Sequence, residues 1–184
     1  MPIIKHKWRT YTPKSDTRIL ILGTFHPDIN TGADFFYGRK RNYLWSLLPS
    51  CFNYRDLRGS DNLEAKYKFI ESHKIGFADI IESVNVSDDR KANYSDNYID
   101  SRVHALKEIG ALMDSLINLE AVYFTRKTFQ GIPTIKLNAV NIQQHCIGRR
   151  IRFSLLPTPA RFINIQKQRD WKRIIIDNDV PLLL

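Results

Sequence analysis

The chain has 184 residues, 43% of them hydrophobic and 26% charged, a balance that excludes a disordered chain unable to offset its conformational entropy with apolar burial. Its length suits one domain with one core over residues 1–184, without a linker or low-complexity tract. Lys and Arg number 28 against 19 Asp and Glu, a formal charge of +9, so nucleic acid is the first partner to consider, against the simpler alternative of a solvated basic surface.

Arg18 to Thr24 is a continuous apolar run ended by Gly and Pro, which suits a strand buried on both faces of a parallel sheet. Arg41 to Leu48 and Asn62 to Ser72 have helical spacing, the second with Leu63, Tyr67 and Ile70 on one face. Phe77 to Ile81 reads as a short strand after the turn signal at Gly76. The spacing of Ile99, Val103, Leu106, Met113 and Leu116 predicts a long helix from about Tyr98 to Ile117. Ala121 to Thr125 and Arg152 to Leu156 are further strands, and Ala160 to Ile176 reads as a closing amphipathic helix. Strands alternating with helices imply an α/β sandwich with a largely parallel sheet.

Ligands of such sheets bind beyond the carboxyl ends of the strands. Two loops therefore matter most, Gly23-Thr24-Phe25-His26-Pro27-Asp28 and Leu156-Pro157-Thr158-Pro159-Ala160-Arg161. Cys51 and Cys146 lack the spacing of a zinc motif or a disulfide framework, which fits a reducing, cytoplasmic setting. The first residues are too polar for a signal peptide, and no apolar run approaches the roughly 18 residues of a membrane span.

Several stretches taken in order resemble the uracil-DNA glycosylase superfamily, and most of all its hypoxanthine-DNA glycosylase and mismatch-specific uracil-DNA glycosylase branches. These are Gly23 with the displaced Pro27, Phe36-Tyr37, Asn42-Tyr43-Leu44-Trp45, Gly76-Phe77-Ala78-Asp79-Ile80-Ile81 and Leu156-Pro157-Thr158-Pro159-Ala160. The resemblance implies a three-layer sandwich around a four-stranded, largely parallel sheet. It also implies a DNA glycosylase of base excision repair, monomeric, with neither metal nor organic cofactor, acting on DNA with a damaged or mismatched base. Where the hypoxanthine branch has His-Pro this chain has Arg39-Lys40, and the first loop lacks the family's second Gly, which leaves the choice of base open.

A glycosylase flips a base out of the stack, holds it by stacking and by hydrogen bonds to its edge, and cleaves the C1′–N bond through an oxocarbenium-like sugar. By the resemblance, Asn42 is the catalytic amide, able to position water or read the base edge. Gly23, Thr24, Phe25, Phe36, Tyr37 and Asp79 bind the base, with backbone N–H groups of Thr24 and Phe25 available to its carbonyl. Arg39, Lys40, Arg41, Pro157, Thr158, Pro159 and Arg161 meet the DNA.

Each role has a plainer competitor. Asn42 is well placed to cap a helix starting at Tyr43, Phe36 and Trp45 are ordinary core residues, and Asp79 is an ordinary cap for the next loop. His26 is the only histidine in the candidate site, and a general base there needs a partner that the sequence does not identify. His6, His73, His104 and His145 show no ligand spacing. Two other functions are open: a nucleic-acid-binding module without turnover, and a metal-dependent nuclease built on Asp28 with Glu64-Ala65-Lys66, for which Glu64 and Lys66 lie in a helix rather than on the required strand.

Overall fold

The computed structural model describes residues 2–29, 33–86 and 94–177. At its centre is a four-stranded parallel sheet in the order β3-β2-β6-β7, formed by β2 (Ile19–Gly23), β3 (Ile75–Asp79), β6 (Ala121–Phe124) and β7 (Arg152–Leu155). β2 lies between β3 and β6, with Ile21 opposite both Phe77 and Tyr123. Its side chains alternate between two apolar clusters, as the two-residue period of a strand requires. Leu20 and Leu22 join the cluster that holds Met113 of α4 (Ile109–Ser115) and Ile135 and Ala139 of α5 (Pro133–Gly148). Ile21 joins the cluster that holds Trp45 of α1 (Leu44–Cys51), Phe69 of α2 (Leu63–Ser72) and Trp171 of α6 (Ile165–Ile175). Helices therefore cover both faces, and the three-layer α/β sandwich expected from the sequence is the architecture found.

A second, antiparallel sheet has the order β1-β4-β5, formed by β1 (Ile3–Lys5), β4 (Ile81–Asn85) and β5 (Val103–Leu106). The expected strand Phe77 to Ile81 is in fact two strands in two sheets. Ile80 is the pivot between them, its N–H donating to the Gly23 carbonyl at 3.1 Å.

The long helix expected from Tyr98 to Ile117 does not form. That stretch holds the end of the four-residue α3 (Asp96–Ile99), a 3-10 turn at Asp100–Arg102, β5, and α4. Ile99, Val103 and Leu106 satisfy helical spacing, but Val103–Leu106 alternates half-buried and exposed against β4, so pairing with a distant strand overrides the local period. Conversely, α5 escapes a reading by periodicity because polar Gln143 is buried while Leu137 and Ile147 are exposed. Its first turn is closed by Asp100, whose carboxylate accepts the N–H of Thr134 at 3.1 Å and of Ile135 at 2.7 Å. That cap lies more than thirty residues away, so no local motif announces it. α6 begins at Ile165 rather than Ala160, where Asn164 accepts the N–H of Lys167 at 2.8 Å.

Phe77 is fully buried among Phe35, Phe36, Tyr37 and Trp45. Phe77→Ala is expected to cost about 3–5 kcal/mol in urea unfolding. Ile117→Ala, at a side chain 79% exposed, is expected to stay within about 0.5 kcal/mol of wild type.

Candidate active site

A cavity of about 170 Å³ opens at the carboxyl ends of the parallel strands. Thr24, Phe25 and His26 follow β2, and Thr125 and Arg126 follow β6. Thr158, Pro159 and Ala160 follow β7, while Tyr37, Arg39 and Asn42 come from the loop before α1 and Asp96 begins α3. Such a sheet presents its loops at this edge, where backbone groups freed from the ladder are available to a ligand.

Behind the cavity, Asp79 at the last position of β3 is completely buried. Its Oδ2 faces two histidines, His6 Nε2 at 2.8 Å and His26 Nδ1 in a short contact. The far nitrogen of each ring faces a backbone N–H. Trp8 N lies 3.2 Å from His6 Nδ1, and Tyr37 N lies 3.0 Å from His26 Nε2. A nitrogen that accepts an N–H carries no proton, so both rings are neutral and both turn their proton toward Asp79. Burial alone would push the Asp79 carboxyl up; the ring N–H of His26, by its electrostatic pull and its hydrogen bond, and then that of His6 outweigh it and hold the carboxyl well below the usual carboxylate range. The three potential ligand atoms lie within 4.8 Å of one another, but the trio does not fit a cation. Metal on the inner nitrogens would move the protons to the outer ones, against the backbone N–H groups already there.

Tyr37 stands on this network. Its backbone is in the left-handed region, φ 59°, which costs a bulky residue about 1–3 kcal/mol and persists only where surrounding contacts hold it. Its hydroxyl lies 3.0 Å from Thr125 Oγ1, and that hydroxyl is in turn 3.1 Å from the Leu22 carbonyl. Thr125 therefore donates to Leu22 and Tyr37 donates to Thr125. Burial, with the charge of Asp79, raises the Tyr37 phenol well above its ordinary value, so it stays protonated. Gly23 makes this approach possible: a Cβ there would lie 2.3 Å from both Asp79 Oδ1 and the Tyr37 hydroxyl.

Asn42 sits on the opposite wall. Its side-chain carbonyl accepts the N–H of Leu44 at 3.0 Å, which is a turn-stabilising role at the start of α1. Its amide nitrogen has no hydrogen-bond partner among the described residues and remains available to the cavity. The Asn42 loop is tied to the last loop by an antiparallel bridge between Asn42 and Ala160, with Tyr43 N donating to the Pro159 carbonyl at 2.9 Å and Arg161 N to the Arg41 carbonyl at 3.0 Å. Lys167 secures the same loop from below, its ammonium donating to the Phe162 carbonyl at 2.8 Å. On the third wall Asp96 accepts the Thr24 hydroxyl at 2.8 Å and pairs with Arg126. The N–H groups of Thr24 and Phe25 make no hydrogen bond among the described residues.

Of the residues singled out in the sequence, Thr24, Phe25, Tyr37, Arg39, Asn42, Thr158 and Pro159 meet at the cavity. Gly23 backs it. Asp79 does not line it and reaches it only through His26. Phe36 is not a cavity wall either: it is fully buried and stacks on Trp8 and Phe77, because its neighbour Tyr37 takes the outward position. Arg39 is half-buried, with a guanidinium Nε that has no hydrogen-bond partner among the described residues, and burial draws its pKa down against the pull of Asp79. Lys40, Arg41 and Arg161 are exposed beside the opening, and Pro157 accepts the Trp171 indole N–H at 3.0 Å. Sequence reading missed His6, Asp96, Thr125 and Arg126. The strand expected over Ala121 to Thr125 ends at Phe124, so Thr125 and Arg126 are the first residues beyond it and the rule for strand ends could have found them; His6 and Asp96 carry no such signal.

The residues of the nuclease reading do not assemble. Asp28 pairs with Arg9, Glu64 with Lys68 on the same helix, and Lys66 is buried against Asp34. Cys51 and Cys146 are free, buried, and pushed by burial up to about 12, so neither is a nucleophile at neutral pH. Among the described residues no helix is long and apolar enough to cross a membrane.

This fold is shared with a solved protein. The solution NMR structure of a "putative Uracil DNA glycosylase" from Methanosarcina acetivorans superposes with a TM-score of 0.59 over 88% of this chain and 90% of that one, at 19% sequence identity. The chain thus has a uracil-DNA glycosylase-like fold. No protein-family model and no curated protein matches its sequence.

Two outcomes follow from the buried network. Gly23→Ala forces a methyl group between Asp79 and Tyr37 and is expected to lower the thermal midpoint by several degrees, read by circular dichroism. Because folding depresses the Asp79 carboxyl, its stabilisation is present above the ordinary value of 3.8 and is lost as pH falls below it. In urea unfolding at pH 7, Asp79→Asn is expected to be about 2–4 kcal/mol less stable than wild type, a gap that narrows from pH 4 to pH 3.

Proposed function

We propose that this protein is a monofunctional DNA glycosylase that removes a deaminated base, uracil, hypoxanthine or a relative, from DNA. The observation that carries the reading is the cavity. Smaller than the roughly 300–1,000 Å³ of drug-sized sites, it suits a single flipped base, and it gathers an available Asn42 amide with unpaired N–H groups of the β2 loop. The fold likeness supports the same class.

In this mechanism the flipped base rests against Tyr37, and the N–H groups of Thr24 and Phe25 take the negative charge that grows on its carbonyl as the C1′–N bond breaks. Asn42 orients the base edge or the water that adds to C1′. The water's hydroxyl goes to the sugar and its proton ends on the departing base. Asn42 and Tyr37 are both uncharged here, as a site that reads a neutral base edge requires. Arg39, Lys40 and Arg41 hold phosphates beside the opening. Phe162 and Ile165, 55% and 63% exposed just beyond the cavity lip, are placed to wedge into the stack and fill the space the base leaves, with Arg161 beside them.

The test is base release from oligonucleotides that carry one uracil, hypoxanthine, xanthine or mismatched thymine, with EDTA present. Wild type is expected to leave abasic sites, and Asn42→Ala to lose about 10²–10³-fold in rate while still binding DNA, as when one donor is removed from a preorganised site. DNA binding without base release from any of these substrates would instead identify a binding module. Phe162→Ala is expected to slow release from duplex more than from single-stranded substrate, since only the duplex must be opened.

A further inference from the structure

We propose that the buried His6–Asp79–His26 relay is a positioning device for Tyr37, and that His26 thereby sets the wall against which the base rests, an inference that builds on the glycosylase reading of the cavity. Asp79 can only accept, so His26 turns its Nδ1–H inward and is left with a bare Nε2. That nitrogen takes the Tyr37 N–H at 3.0 Å. The N–H belongs to a buried residue whose backbone is left-handed, φ 59°, a conformation that its surroundings must hold. His6 fixes the carboxylate from the other side, at 2.8 Å, and is itself fixed by Trp8 N on its Nδ1. The chain of cause therefore runs from Asp79, through the tautomer of His26, to the backbone of Tyr37 and its ring. His26 is a positioning residue here and not a proton-transfer group, because its one bare nitrogen is occupied.

A plainer role for His26 is to solvate the buried Asp79 charge and nothing more. Two substitutions separate the roles. His26→Asn keeps a donor near the Nδ1 position for Asp79 but falls short of Tyr37; His26→Gln places a carbonyl near Nε2 for the Tyr37 N–H but leaves Asp79 to His6 alone. If the relay positions Tyr37, the Gln variant is the less stable in urea yet keeps its KM within about twofold of wild type. The Asn variant is then the more stable, yet its KM on the oligonucleotide that wild type processes rises about tenfold, the worth of one hydrogen bond, with kcat less affected. The Tyr37 amide exchanges slowly with deuterium in the Gln variant and fast in the Asn variant. An Asn variant with wild-type KM and slow Tyr37 exchange would overturn the proposal.

One measurement stands apart from both activity and variant folding. The long-range 1H–15N spectrum of the wild-type imidazoles at neutral pH is expected to show His26 protonated at Nδ1 and bare at Nε2. An Nε2–H tautomer or an imidazolium would sink the relay even if the enzyme works. Absence of base release by wild type would sink the glycosylase reading, while that spectrum and the Tyr37 exchange rate would still decide the relay.

Discussion

A carboxylate taken wholly out of water is tolerated only where it is paired and hydrogen-bonded, and Asp79 is such a group at the very end of a core strand. Its needs draw three distant parts of the chain together. His6 comes from the segment after β1, His26 from the loop after β2, and Asp79 from β3. The same convergence has a backbone component, since His6 bridges Pro27 and Lys7 N donates to the His26 carbonyl at 2.8 Å. The small antiparallel sheet is thereby fastened to the parallel one, and the β2 loop acquires a fixed shape instead of the freedom usual for loops.

That fixed shape governs the cavity. A pocket keeps its shape only where the side chains of its walls do not relax away, and here each wall is anchored from outside itself. Tyr37 hangs between His26 and Thr125, the Asn42 loop is bridged to Ala160, and Asp96 is bound by Thr24 and Arg126. The exposed Lys40, Arg41 and Arg161 lie outside this ring of anchors, whereas the charges that line the cavity include the paired Asp96 and Arg126. Asn42 lines the cavity while its side-chain carbonyl accepts the Leu44 N–H, and the N-cap position of α1 itself falls at Tyr43.

Legibility from the sequence followed the range of the interactions. β2 was readable because a strand buried on both faces needs an unbroken apolar run, and Ile19 to Leu22 supply one. The extent of α2 was readable from local spacing, but its expected apolar face was not the buried one: Tyr67 is exposed, and Lys66, Phe69 and Ile70 turn inward, Lys66 held there by Asp34. The stretch from Tyr98 to Ile117 was misread because the positions that form a helical stripe also suit a strand once β4 is available to pair with it. α5 was overlooked because its cap is Asp100 and its burial pattern is set by what packs on it. At the site, Tyr37 and Asn42 were singled out through motif order and Thr24 through the loop after β2, whereas Arg39, expected beside the opening on phosphate, lines the cavity itself, and Phe36 and Asp79 were given an access to it that their complete burial denies.

By itself the sequence determined the class of the fold, the two loops that matter, and a basic exterior suited to a polyanion, because each of these rests on composition or on neighbours within a few residues. Only the tertiary structure decided what His26 is for. A histidine's role is set by what stands at each of its two nitrogens, and its partners, Asp79 and Tyr37, lie 53 and 11 residues away. The sequence places His26 in a loop that matters but carries no sign of the group at either of its nitrogens, and it sets His6 aside altogether.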